Sequence, residues 1–128
     1  MDWPHTGILG LEKKQGGEDD GFAFTDYNVV TNAWHYAALK QMEGIAGALG
    51  KQDDVAFYAS ESDAFKKRFI RSFFDVRKGY FTDGLAADTD HASLHGNMFP
   101  LAFDLVPAGK KQNVVDFIQT RGMACSVY

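Results

Sequence analysis

Three pairs of side chains in this sequence are of the kind that lines a pocket for a hydroxylated ring: Asp2 with Trp3, Asn32 with Trp34, and His95 with Asn97. An indole face stacks on an apolar C–H face, while carboxylate, amide and imidazole groups exchange hydrogen bonds with hydroxyls. Trp3 stands before a glycine-rich stretch that has too little apolar surface to bury an indole by itself. The other two pairs fall near the starts of predicted helices, where unpaired backbone N–H groups gather. For each polar residue the competing assignment is helix capping or a satisfied buried hydrogen bond, and for each tryptophan it is a place in the core.

Other chemistries find less support. His91 and His95 have the i, i+4 spacing of zinc ligands, with Asp88 and Asp90 nearby, but they share a helix face only if the helix has begun by His91, and no glutamate follows His91. No metal is expected. Glu18-Asp19-Asp20-Gly21 lacks the alternating acidic positions of a calcium loop and reads as a solvated turn. Phosphate-cradling glycine motifs, a GxSxG elbow and a Cys-His pair are all missing, so no cofactor is expected and Cys125 reads as a packed thiol.

The elements that must position these residues are helical. Residues 4 to 24 form a glycine-rich loop. Trp34, Ala38, Met42, Ile45 and Leu49 recur at helical steps, predicting a helix from about Thr25 to Leu49 ended by Gly50. Its other faces carry Ala33, Ala37, Gly44, Ala46, Gly47 and Ala48, small enough to let neighbouring helices come close. A second helix, capped by Asp53 or Asp54 and running to about Phe74, lines one side with Tyr58, Phe65, Phe69, Ile70 and Phe73. A turn-rich link at Gly79-Tyr80-Phe81-Thr82-Asp83-Gly84 follows. A third helix is expected from Ala92 or Ser93 to before Pro107, with Pro100 imposing a kink or a late start. A fourth runs from Lys110 or Lys111 to Thr120, closed by Gly122. Inner and outer helices alternate, which predicts an all-α chain forming two helical hairpins of a larger toroid, or alternatively a free-standing four-helix bundle.

A hydrophobic fraction of 45% excludes an unfolded polar chain. The net charge of −4 and a pI near 5.4, with scattered Lys and Arg, leave no footprint for nucleic acid or anionic lipid. No apolar run reaches the ~20 residues of a membrane span. Nothing in the sequence assigns a compartment.

Three segments carry a resemblance that spans the chain: Asp2-Trp3-Pro4, then Ser93-Leu94-His95-Gly96-Asn97-Met98-Phe99-Pro100-Leu101-Ala102, and Arg121-Gly122-Met123-Ala124-Cys125-Ser126-Val127-Tyr128. With Val29-Val30-Thr31-Asn32-Ala33, Phe69 to Phe74, the Gly79 to Gly84 link and Leu105-Val106-Pro107, the sequence resembles the catalytic domain of α-L-rhamnosidases. The resemblance implies a six-hairpin (α/α) toroid of which residues 1–128 are a part, incomplete at both ends, with about two hairpins. It also implies hydrolysis of terminal α-L-rhamnose with inversion, by a glutamate acid and an activated water. The stacking role of the family's tryptophan falls on Trp3. The family's acid and base belong to segments upstream of its DW motif and downstream of its MACSVY motif, and Glu12, Glu18, Glu43 and Glu61 match neither. The chain alone is therefore expected to be inactive, with a rhamnose-containing glycoside as partner, no nucleic acid or membrane, and self-association through exposed inner-helix faces. The alternatives are a stand-alone helical carbohydrate-binding or self-associating module, and another six-hairpin enzyme of the glucuronyl hydrolase or trehalase kind.

Overall fold

A computed structural model describes residues 22, 23, 25–122 and 124. It is all-α apart from one very short hairpin: α1 (Val29–Ala48), α2 (Gln52–Phe73), β1 (Phe74–Asp75), β2 (Tyr80–Phe81), α3 (Leu94–Ala102) and α4 (Lys111–Arg121). The segment 49–51 is too short for anything but an antiparallel return of α2 along α1, and α3 and α4 form the second hairpin. No described helix is long and apolar enough to cross a membrane.

The boundaries follow local chemistry. Thr25 does not open α1. The helix starts at Val29, because Asn28 in an extended conformation accepts the Thr31 N–H through its side chain and caps the first turn. At the other end Leu49 is the cap rather than the last turn, and Gly50 adopts φ 70°, the left-handed conformation that stops a helix. Neither Asp53 nor Asp54 caps α2. They lie in its first turn behind Lys51, where their charge complements the positive end of the helix. α3 starts at Leu94, directly after its cap Ser93, so Pro100 imposes no late start, and the helix ends at Ala102 rather than just before Pro107. Pro100 sits inside the helix with its ring fully buried, and the helix ends two residues later. Gly122 at φ 56° closes α4.

The core is built where α1, α2 and the hairpin meet. Val29, Ala33, Phe69, Phe81, Leu105 and Val114 are almost wholly removed from water. Phe69 lies at the centre of a run of tilted rings, 5.1 Å from Phe73 and 5.5 Å from Phe81. β1 pairs antiparallel with β2 in the register Phe74 opposite Phe81 and Asp75 opposite Tyr80. Tyr80 stacks on Phe117 at 4.1 Å, tying the hairpin to α4.

Helix α1 buries a different face from the one its apolar period suggested. Trp34, Met42, Ile45 and Leu49 are all exposed, and Val29, Val30, Ala33, Tyr36, Ala37 and Ala46 are buried instead. The small residues allow α2 to pack closely, and α3 is less than half the length of α1, so nothing described covers the far end of the apolar stripe.

The turn after α3 is held by charge. Asp104 takes φ 56°, its carboxylate accepts from Lys111 at 2.7 Å, and Lys66 donates to its carbonyl. The Lys111 hydrogen bond, followed by the charge of Lys66, holds the Asp104 carboxyl below its usual range. A folded-state value below the unfolded one means that the contribution is present above the ordinary carboxylate pKa and lost as pH falls through the lower folded value. Asp104→Asn, which tolerates the same backbone conformation, is expected to flatten the acid limb of stability below about pH 4. The change is small because the group is exposed and screened. Urea midpoints between pH 3 and 7 would read it, and an unchanged acid limb would count against the assignment.

Candidate functional site

The N-termini of α1 and α3 meet on one residue, Asp83. Its carbonyl accepts the Val29 N–H at 2.9 Å, and its carboxylate oxygen Oδ1 accepts the Ser93 N–H at 2.9 Å, immediately before α3. The second carboxylate oxygen takes the Ala23 N–H at 2.9 Å and lies 2.6 Å from His91 Nδ1. Its own N–H donates to the His91 carbonyl, so Asp83 and His91 are joined twice. The carboxylate has no accessible surface. A charge so placed is tolerable because N–H donors converge on it and two helix N-termini direct their positive ends toward it. This gathering of helix starts is what an arrangement of inner helices requires.

Ser93 caps α3, its hydroxyl accepting the Gly96 N–H at 3.0 Å. The first turn of α3 then rests directly on the carboxylate. A Cβ on Gly96 would lie 2.8 Å from Ser93 Oγ, 2.9 Å from Asp83 Oδ1 and 3.1 Å from Val29 Cγ1. Alanine is favoured over glycine in a helix by ~1 kcal/mol, but overpacking against groups that cannot move costs about 1–3 kcal/mol. Gly96→Ala is therefore expected to lower the unfolding midpoint, whereas Gly44→Ala, with nothing within 4 Å of the new methyl, should raise it. Equal shifts in chemical denaturation would refute the close approach.

The predicted site residues divide by burial. Asn97 has no exposure, and its amide is spent on the fold: Oδ1 accepts the Phe81 N–H at 2.8 Å, and Nδ2 donates to the Phe81 and Ser93 carbonyls at 3.0 Å. Asn32 donates to the Asn28 carbonyl at 2.8 Å. His95 is buried and stacked on Phe99 at 5.6 Å. Trp34, in the second turn of α1, is half exposed and packs against Phe99 at 5.3 Å and Phe103 at 4.9 Å. His95, Phe99 and Phe103 follow one another along α3 with near-parallel rings, and Trp34 closes the shelf from α1.

Because α3 begins at Leu94, His91 lies outside the helix and shares no helical face with His95. Among the described residues no group of three His, Cys, Asp or Glu side chains could hold a metal ion. Asp2, Trp3, Glu12, Glu18 and Cys125 lie outside the described residues.

Two inner helices starting from one point, each backed by an outer helix, are the repeating pattern of a helical-hairpin toroid. A family model, the bacterial α-L-rhamnosidase 6 hairpin glycosidase domain, matches residues 1–128. The chain belongs to that family. No curated protein matches it.

Within this six-hairpin glycosidase family the all-α architecture of four helices is accounted for. Asp83 and Asn28 are the polar residues that reading the sequence missed. Asp83 lay in a turn-rich link between Thr82 and Gly84, where an aspartate ordinarily serves the turn itself. Its only signal was membership of a link shared with the family. Asn28 caps α1, yet its Nδ2 is buried without a partner among the described residues.

Proposed function

We propose that this chain is part of an inverting glycoside hydrolase that removes terminal α-L-rhamnose, and that it supplies about two of the six hairpins and one side of the sugar pocket. The family match carries the reading. It is supported by the convergence of α1 and α3 on Asp83, which brings polar groups and an aromatic shelf toward one end of the inner helices. Trp3 stacks on the sugar with Asp2 beside it. Trp34 and His95 extend the aromatic and polar wall, and Asn32 and Asn97 hold that wall in shape.

The chain contributes binding rather than proton transfer. Glu43 is paired with Lys40 at the surface and Glu61 is exposed on α2, whereas an inverting pair needs an acid and a base facing one bond. Titration calorimetry with L-rhamnose should give heat with the wild-type chain, and Trp3→Ala should weaken it at least tenfold, about 1.4 kcal/mol. An aryl α-L-rhamnoside should release no phenol. Turnover that a Glu18→Gln substitution abolishes would overturn the division of labour.

A second reading has one observation in its favour. The exposed stripe of Trp34, Met42, Ile45 and Leu49 along α1 suits a self-associating module. Sedimentation separates the two: a monomer at all concentrations speaks against self-association.

A further inference from the structure

We infer that Asp83 is a positioning residue for His91, fixing its imidazole as the Nδ1–H tautomer so that Nε2 is presented as a hydrogen-bond acceptor to a hydroxylated ligand. The inference rests on the sugar-site reading for the identity of the ligand but on geometry for the pair itself.

Asp83 Oδ2 lies 2.6 Å from His91 Nδ1, and a carboxylate there can only accept, so Nδ1 carries the proton. The reciprocal bond from the Asp83 N–H to the His91 carbonyl fixes the backbone that bears the ring. The ring cannot draw the carboxylate out of place, because the Ala23 and Ser93 N–H groups hold it from two other segments. The His91 side chain is 34% exposed while its carboxylate partner is 0% exposed, so the ring reaches solvent from a fully buried anchor. No described residue takes a hydrogen bond to His91 Nε2.

A second observation lies at the same end of the inner helices. Asn28 is 6% exposed and its Nδ2 has no partner among the described residues, although a buried donor left unpaired costs about 1–3 kcal/mol. Its neighbour Val29 is bonded to Asp83. Asn28 Nδ2 is itself sealed from solvent, so the ligand contact falls to His91 alone.

The test uses the whole chain. Long-range nitrogen-proton NMR of the imidazoles at neutral pH should find His91 protonated at Nδ1, and added L-rhamnose should shift its Nε2 resonance. His91→Ala should weaken L-rhamnose binding about tenfold, and His91→Gln, whose amide can stand in for Nε2, should recover part of it. An Nε2–H tautomer in the wild type overturns the positioning role without any variant having to fold. Unaltered sugar affinity in His91→Ala overturns the contact. A wild-type chain that binds no L-rhamnose overturns the functional reading and the ligand assigned to His91 with it, while the tautomer still decides whether Asp83 orients the ring.

Discussion

Asp83→Ala should remove a large share of the chain's folding stability. The substitution strips the acceptor from the Ala23 N–H, the Ser93 N–H and His91 Nδ1 at once, in a place that water does not reach. Each buried donor left unpaired costs about 1–3 kcal/mol, so the loss is roughly 3–9 kcal/mol against a total stability of about 5–15 kcal/mol for a domain. The three hydrogen bonds tie together the loop before α1, the start of α3 and the link after β2, so no single element can relax to compensate. Asp83→Asn keeps the shape but turns one acceptor into a donor facing an N–H group, and should lose less than the alanine variant. Urea unfolding followed by circular dichroism would measure both. An alanine variant within about 0.5 kcal/mol of wild type, a margin typical of surface changes, would mean that the carboxylate does not carry the junction.

Asn97→Leu is the second large effect. Leucine has the same branching as the buried amide, though it is bulkier, and offers no hydrogen bonds, so three are lost: those with the Phe81 N–H, the Phe81 carbonyl and the Ser93 carbonyl. Asn97 grips Phe81 by both of its backbone groups, so the side chain acts as one more strand on the edge of β2. The expected cost is about 2–4 kcal/mol, because buried backbone groups are left without partners while the added apolar burial offsets part of the loss. Amide hydrogen exchange gives a local reading: the Phe81 N–H should lose its protection more than the N–H groups in the middle of α2. Uniform loss across the chain would mean that Asn97 serves packing in general rather than the hairpin.

These two residues show where reading the sequence stops. Asn97 was visible as a polar residue near a helix start, and the family likeness made it a pocket candidate, but its partners are 16 residues away in a two-residue strand with no periodicity of its own. Asp83 was hidden more deeply. In the sequence it is one of several acidic residues in a turn-rich link, and its partners at Ala23 and Val29 belong to a segment far back along the chain. Trp34 illustrates a third kind of gap. The three- and four-residue spacing from Trp34 to Leu49 correctly announced a helix with an apolar side, yet that side is exposed, because periodicity states that a face is apolar and not what lies against it.

What could be read from one dimension is what depends on neighbours a few residues apart. The approximate helix spans and the stops at Gly50 and Gly122 follow from hydrogen bonds that close within one turn and from side chains recurring every 3.6 residues. The family was legible too, since its motifs are contiguous. The meeting of α1 and α3 on a buried carboxylate, the orientation of His91, and the division of the site candidates into exposed Trp34 and sequestered Asn97 were decided only by tertiary structure. A hydrogen bond spanning up to 60 residues leaves no local pattern, because its energy depends on burial and on convergence from several segments at once.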